Sequence, residues 1–140
     1  MEIKINTVTT NQDYKDCLHI RREVFIKEQN IDEGLEYDDK KVDAIYVLAK
    51  VNLISIGTAR YRSTKIGIKL ERFAVLKEYR SLGVGKSLFA FLVKTLENEK
   101  VLYLNSQKKV VNFYEKLGFK KIGKIFYEAK IPHYKMIFHC

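Results

Sequence analysis

The feature that most constrains the fold is a strand–helix–strand unit in the middle of the chain. The run "ERFAVL" (71–76) has the apolar character of a strand, and "KSLFAFLVKTL" (86–96) has apolar residues at helical spacing. A second short apolar run, "VLYLN" (101–105), is typical of a buried central strand. The loop between the first strand and the helix contains Gly83 and Gly85. The fold must therefore place a glycine-containing loop directly before a helix.

Alternating apolar patterns predict several further strands. They cover residues 2–8, two runs joined as a hairpin around Asn52, and the run 65–76. Two strand-like runs separated near Pro132 close the chain. Most of these strands follow one another directly, which favours antiparallel pairing.

Helical spacing predicts the remaining elements. Asn11 is a candidate N-cap for a first helix, and Gly34 interrupts any continuation of it. The central helix has Leu82 at the start of its apolar stripe, and a helix in 108–119 ends where Gly118 can cap it. The order is strand, helix, strands, helix, strand, helix, strands, which predicts an α+β class.

The run 65–76 changes the face of its apolar residues midway. These residues occupy even positions up to Leu70 and odd positions from Phe73 onward. Successive side chains of a strand point to opposite faces, so a bulge or kink is predicted near Glu71-Arg72.

Length and composition indicate one globular domain, residues 1–140. The chain is 46% hydrophobic and 31% charged, with a single proline. Its two cysteines, Cys17 and Cys140, favour neither a disulfide framework nor a metal site. The start has no apolar core of signal-peptide length, and no run approaches the roughly 20 apolar residues of a membrane span. We therefore expect a cytoplasmic protein with no membrane partner and no metal.

The charge is unevenly distributed. The net charge is +9, from 26 basic and 17 acidic residues, yet the stretch 28–39 contains no basic residue. Its acidic members are Glu28, Asp32, Glu33, Glu36, Asp38 and Asp39. The basic excess is compatible with a nucleic acid, a membrane surface or an anionic small molecule. The acidic stretch is either a solvated loop or a surface for a cationic ligand.

The loop before the central helix has the properties of an anion site. Gly83 and Gly85 permit close approach of a ligand to the backbone. The helix start presents unpaired N–H groups and the positive end of the helix dipole, with Arg80 and Lys86 beside it. One helix terminus contributes only about 0.3–1 kcal/mol, so a diphosphate requires several amides together.

Two nucleotide motifs fit this loop poorly. The phosphate loop of ATPases needs glycine where Arg80 stands, and its magnesium ion usually needs an aspartate where "VLYLN" ends in Asn105. The dinucleotide fingerprint needs a third glycine where Leu88 stands. An anion other than these nucleotides is favoured.

The segment Arg80-Ser81-Leu82-Gly83-Val84-Gly85 resembles the acetyl-coenzyme A (acetyl-CoA) signature [QR]-x-x-G-x-[GA] of the GNAT superfamily of N-acetyltransferases. The segment "VVNFYEKLGFKKIG" (110–123) is similar to a second landmark of that family. Two further segments, "RREVFIKEQNI" (21–31) and "IPHYKM" (131–136), resemble the ElaA/YjcF-like branch. The resemblance covers almost the whole chain.

The resemblance implies a three-layer fold with a mixed, mostly antiparallel sheet splayed at its centre and helices on both faces. It implies direct transfer of an acetyl group from acetyl-CoA to a primary amine, with neither cysteine as a covalent relay. Two alternatives stay open: a catalytically silent sensor that binds CoA, and, less favoured because the basic residues are scattered, a nucleic-acid-binding module. The acceptor amine is not identified, and pairing of two chains into a homodimer through the last strands is left open.

The family's site residues carry over to named positions. The CoA-binding residues implied are Phe73, Ala74, Val75, Arg80, Ser81, Leu82, Gly83, Val84, Gly85, Lys86, Asn105 and Asn112. A backbone N–H near Val75 would stabilise the oxyanion, a donor whose loss typically costs about 10²–10³ in rate. The hydroxyl of Tyr114 would protonate the departing thiolate. The base that deprotonates the amine is Glu71, His133 or Glu28, and the acidic stretch would face a small cationic acceptor.

Overall fold

In the computed structural model, which describes residues 2–139, the chain folds into seven strands and four α-helices. The strands are β1 (Lys4–Thr7), β2 (Ile45–Val51), β3 (Ile54–Ser63), β4 (Ile68–Val75), β5 (Val101–Gln107), β6 (Lys120–Glu128) and β7 (Ile131–His139). The helices are α1 (Asn11–Arg21), continued by a π-helix (Arg22–Glu28), α2 (Glu33–Glu36), α3 (Val84–Thr95) and α4 (Val111–Lys116). This is the predicted order, with the single turn of α2 added.

All these strands form one sheet in the order β1-β2-β3-β4-β5-β7-β6. Each neighbouring pair is antiparallel except β4 and β5, which run parallel. These two strands pair only at Ile68↔Leu102 and Lys69↔Tyr103, and beyond that point they separate. The predicted α+β class, with a mixed and mostly antiparallel sheet splayed at its centre, is confirmed.

Helices cover both faces of the sheet, as the alternation along β2 shows. Val47 and Ala49 belong to a core that includes α3 and α4, whereas Leu48 belongs to a second core beneath α1. Successive strand residues point to opposite faces, so the two cores lie on opposite sides of the sheet. This is the three-layer arrangement.

The predicted bulge lies in β4. Arg60 pairs with Glu71 and Thr58 with Ala74, so residues 72 and 73 together oppose one residue of β3. Arg72 has φ = 57°, a left-handed conformation that allows the extra residue to be inserted. The change of parity in the sequence is therefore explained by this bulge.

The helix boundaries differ from the predicted ones. The first helix is capped by Thr10, whose hydroxyl accepts a hydrogen bond from the N–H of Asp13 at 3.1 Å, and not by Asn11. The helical segment ends before Asn30, which has φ = 56°, whereas Gly34 lies inside α2. None of the helices within residues 2–139 has both the length and the apolar character needed to cross a bilayer.

Two other local predictions are wrong. Leu82 precedes α3 and is 48% exposed, so it is not part of the helix's apolar stripe. The last hairpin turns at Ala129-Lys130, where both residues have positive φ, and not near Pro132. Pro132 lies within β7 but one residue before its pairing with β5 begins, and the end of a strand tolerates a missing N–H.

Cys17 lies at the centre of the core beneath α1 and is fully buried. Burial raises the pKa of its thiol to about 11, so this thiol is protonated and shielded from reagents at neutral pH. Cys140, the other cysteine considered at the sequence level, lies outside the described residues.

Candidate active site

The separation of β4 from β5 opens a cavity of about 900 Å³ that runs from the π-helix to the loop before α3. Nearly all of the predicted site residues line it, both those proposed for catalysis and those proposed to bind CoA. The exceptions are Leu82 and Asn112, which lie outside its lining; Asn112 is exposed on α4. The splayed sheet thus brings together residues that are up to about a hundred positions apart in sequence.

The edge of β4 that faces this cavity has unpaired backbone groups. The N–H of Leu76 donates to the carbonyl of Ile56 on β3 at 2.9 Å. Because backbone groups alternate in direction along a strand, the N–H groups of Phe73 and Val75 point away from β3. The pairing of β4 with β5 does not extend this far, so the two donors are free to bind an extended ligand.

The loop before α3 presents further backbone donors. Gly83 is the N-cap and has φ = 81°, a left-handed conformation that glycine adopts without strain. The N–H of Ser87 donates to the carbonyl of Gly83, so the preceding amides, 84–86, have no partner within the helix. A Cβ on Gly85 would lie 3.2 Å from Cζ of Phe113, so glycine allows α3 to pack closely here. With no acidic residue in its first turn, the helix start is suited to an anion.

Arg80 is held by the protein itself. Its guanidinium donates to both carboxylate oxygens of Glu28, at 2.8 and 2.6 Å, and its Nε donates to the carbonyl of Val75 at 3.0 Å. These bonds tie the loop to the π-helix and to β4. The hydrogen bonds to Arg80 also lower the pKa of Glu28, which makes this carboxylate a weaker proton acceptor.

Glu71, like Glu28, forms ion pairs with basic side chains of the protein. Its carboxylate contacts Arg60 at 2.7 Å, Lys69 at 3.1 Å and Arg62 at 3.2 Å. Burial alone would raise the pKa of Glu71, but the three cations together lower it to about 2. A carboxylate with that pKa is a poor base for an ammonium group, so its geometry argues against the direct role suggested by the sequence.

Tyr114 lies on α4 inside an aromatic cluster and lines the cavity. Its ring contacts Phe73, Phe113 and Phe119 edge-on, with centroids 6.0, 5.1 and 5.7 Å away. The residue is only 8% exposed, and burial raises the pKa of its hydroxyl above the ordinary value. The hydroxyl is therefore protonated and able to donate.

His133 lies on β7, on the other side of the gap between β4 and β5 from Glu71, and a hydrogen bond defines its tautomer. Its Nδ1 is 2.7 Å from the carbonyl of Ile131. A carbonyl can only accept, so Nδ1 carries the hydrogen, and in the neutral ring Nε2 has a free lone pair. The ring is 7% exposed, stacks on Phe126 and lines the cavity. His133 is thus equipped to accept a proton at Nε2.

Asn105 and Glu128 lie on β5 and β6, the two strands that flank β7. The side-chain amide of Asn105 donates to Glu128 at 2.9 Å, while its Oδ1 is buried and accepts no hydrogen bond from the part of the chain that the structure describes. The second carboxylate oxygen of Glu128 is 4.0 Å from Nε2 of His133. Sequence reasoning missed Glu128, because the misplaced turn did not set it opposite Ile131 and hence near His133. Positive φ at Ala129 and Lys130 has no clear signal in those residue types.

Five of the six carboxylates of the acidic stretch 28–39 contact arginines from outside the stretch, which differs from both a solvated loop and an open cation surface. Glu36 is 3% exposed and lies between Arg21 and Arg72, at 2.6 and 2.7 Å. The other contacts are Asp39–Arg21 at 2.9 Å, Asp38–Arg60 at 2.8 Å, Glu33–Arg22 at 3.5 Å and Glu28–Arg80 at 2.6 Å. Asp32 caps α2 by accepting from the N–H of Gly34. These carboxylates therefore attach the segment to α1, the π-helix, the sheet and the loop before α3, and most of their charge is already compensated within the protein.

Comparison with known proteins identifies the family. The family model described as "Acetyltransferase (GNAT) domain" matches residues 8–140. The uncharacterized N-acetyltransferase YjcF of Bacillus subtilis is 35% identical over 126 residues, covering 88% of this chain and 90% of the relative. The chain belongs to the GNAT acetyltransferase family. Its relatives include both YjcF and the Escherichia coli protein ElaA, which is 28% identical over 126 residues, 85% of this chain and 82% of the relative.

Solved GNAT structures share the fold. The crystal structure of Escherichia coli ElaA superposes with a TM-score of 0.85 at 23% identity, covering 99% of this chain and all of that one. A structure of the NatC complex bound to Gag peptide and CoA superposes with a TM-score of 0.74 at 16% identity, covering 100% and 99%. The chain therefore shares its fold with both structures.

Proposed function

We propose that this protein transfers an acetyl group directly from acetyl-CoA to a primary amine. The observation that carries the proposal is the convergence on one cavity of three features: a free strand edge at Phe73 and Val75, a helix start with unpaired amides, and the hydroxyl-bearing ring of Tyr114. When bound, acetyl-CoA supplies an acetyl thioester that an amine nitrogen can attack, with loss of the thiol.

The chain's own groups fit such a ligand. The buried Oδ1 of Asn105 has no hydrogen-bond partner among residues 2–139, and an amide N–H of a pantetheine arm would satisfy it. Backbone groups of 73–75 would hold the same arm as an added strand. The amides of 83–86 and the side chain of Lys86 would hold the pyrophosphate. Arg80 would hold the conformation of this loop through its hydrogen bonds to Glu28.

We assign proton transfer to one side chain on β7 and one on α4. His133 would accept a proton from the incoming amine at Nε2, since its Nδ1–H is fixed by Ile131. Tyr114 would donate its hydroxyl proton to the sulfur that departs. The N–H of Val75 would donate to the carbonyl oxygen that gains negative charge. Glu71 and Glu28 would keep the loop and the sheet in place through their ion pairs.

The test is acetyl transfer by the purified full chain. Acetyl-CoA is mixed with a panel of primary amines, free thiol is followed, and mass spectrometry tests each amine for the added acetyl group. We expect thiol release that depends on both the protein and one class of amine. Binding of CoA without thiol release for any amine would favour the silent sensor, and the absence of CoA binding would reject the proposal.

A further inference from the structure

The carboxylates of the cavity are unequally neutralised. Glu28, Glu36, Glu71 and Glu128 all line it. The first three each contact at least one arginine at 2.6–2.7 Å. Within residues 2–139, Glu128 contacts neither an arginine nor a lysine. It is thus the one cavity carboxylate of the described chain whose charge is not compensated by an arginine or a lysine.

The end of the cavity at the start of α3 has the opposite charge. Lys86 lines it in the first turn of α3, and no carboxylate within residues 2–139 forms an ion pair with this side chain. A phosphate-bearing ligand is favoured at that end, and a cation is favoured beside Glu128. The uneven charge of the cavity thus separates two binding sites of opposite sign.

We propose that Glu128 binds the ammonium group of the acceptor and presents it to His133. The acceptor is then an aliphatic primary amine that is protonated at neutral pH. This proposal rests on the proposed function and assigns the acceptor end of the same cavity. The sequence predicted that role for the acidic stretch, in which five of the six carboxylates already pair with arginines.

The spacing of the two side chains suits this role. The nearer oxygen of Glu128 is 4.0 Å from Nε2 of His133, so an ammonium nitrogen can donate one hydrogen to each. Asn105 holds the other carboxylate oxygen at 2.9 Å and so fixes the direction of Glu128. The side chain of Glu128 is 47% exposed, which leaves it accessible to a ligand entering from solvent.

The proton balance follows from this arrangement. The ammonium nitrogen gives its first proton to Nε2 of His133, which later releases it to solvent. The freed lone pair forms the C–N bond as the C–S bond breaks, and the sulfur takes the Tyr114 proton. The nitrogen loses its second proton as the amide forms, and that proton restores the Tyr114 hydroxyl through water. One proton is released in each transfer.

A binding experiment tests Glu128 without any turnover. The full chain is labelled with ¹⁵N, and the side-chain amide signals of Asn105 are followed during titration with n-butylammonium or with n-butanol, its neutral analogue. The variants are Glu128→Gln and, as a matched control, Glu99→Gln. Glu99 is exposed after α3 and lies outside the cavity lining. Equal thermal unfolding of both variants excludes a folding effect.

We expect n-butylammonium, but not n-butanol, to shift these signals in the parent chain and in Glu99→Gln. In Glu128→Gln the dissociation constant should rise about tenfold, because a charge-assisted hydrogen bond is replaced by a neutral one. Equal dissociation constants in the two variants would overturn the proposal. An equal response to n-butanol, or no response of the parent chain to n-butylammonium, would do the same.

Kinetics provide the second readout and separate the two proposals. With any amine accepted in the panel, Glu128→Gln should raise KM about tenfold and change kcat by less than about threefold, since the lost contact serves binding of the amine. Unchanged KM in an active enzyme overturns the role of Glu128 and leaves the transfer reaction standing. If no amine is acetylated, the proposed function fails, and the titration still decides whether Glu128 binds a cation.

Discussion

The ring of Phe73 on β4 meets the ring of Tyr114 on α4 edge-on, with 6.0 Å between their centroids. This contact connects the free edge of β4 to the helix that carries the proposed proton donor. Because the ring of Tyr114 is held by its aromatic neighbours, removing the hydroxyl alone should leave its packing unchanged.

Tyr114→Phe therefore separates chemistry from structure. We expect kcat to fall by about 10²-fold or more, because general-acid catalysis typically contributes that much. The dissociation constant for CoA and the thermal unfolding midpoint should stay close to those of the parent chain. Thiol-release kinetics and calorimetric titration with CoA provide the comparison, and equal turnover by the variant would remove Tyr114 from the mechanism.

His133→Gln tests the proposed base. Glutamine can still donate to the carbonyl of Ile131, but it has no group that accepts and holds the proton of an ammonium ion. We expect kcat to fall by about 10²–10⁴ at neutral pH and to recover as the pH is raised, because solvent then supplies the free amine. A pH–rate profile parallel to that of the parent chain would contradict this assignment.

The ion pairs of Glu71 predict how stability changes with acid. Its pKa is lowered from an ordinary value of 4.5 to about 2 in the folded state. A group with a depressed pKa contributes stability that is fully present above its unfolded pKa. That contribution is lost as the pH falls from 4.5 towards 2. Chemical denaturation across this range should show a smaller loss of stability for Glu71→Gln than for the parent chain; parallel curves would count against it.

Two carboxylates of the acidic stretch should differ sharply in their effect on stability. Glu36→Gln removes the buried carboxylate between Arg21 and Arg72, and breaking a buried ion pair typically costs about 3–5 kcal/mol in the free energy of unfolding. Because Arg21 keeps its pair with Asp39 and Arg72 its contact with Asp38, we expect a loss towards the lower end of that range. Glu33→Gln is the matched control, because its pair with Arg22 is exposed and such pairs contribute about 0–1 kcal/mol. Urea denaturation measures the free energy of unfolding of both variants. Similar losses in the two variants would show that the acidic stretch is not anchored through Glu36.

The sequence predicted those features that arise from local patterns. The shift of apolar parity between Leu70 and Phe73 located the bulge of β4, because strand geometry allows only one face at each position. The two glycines and the apolar spacing that follows them located the loop and the start of α3, where the structure has Gly83 as the N-cap. The splayed sheet followed from the resemblance to the family.

Other features depend on distant partners and were not visible in the sequence. Nothing near Glu36 shows that Arg21 and Arg72 approach it, so the stretch resembled an exposed acidic surface. Ala129 and Lys130 adopt left-handed conformations that their side chains do not favour, so Pro132 was taken as the turn. Both features bear on the proposed acceptor end of the cavity: the sequence predicted it at the acidic stretch, and the displaced turn concealed the position of Glu128.

The central claim is that the space between β4 and β5 holds CoA, and a crystal structure of the full chain with acetyl-CoA tests it most directly. We expect the backbone of 73–75 to hold the pantetheine arm, the N–H of Val75 to point at the thioester carbonyl oxygen, the pyrophosphate to lie on the amides of 83–86, and the thioester sulfur to lie beside Tyr114. Acetyl-CoA bound elsewhere on the surface, or a complex in which β4 and β5 remain unoccupied, would contradict the claim.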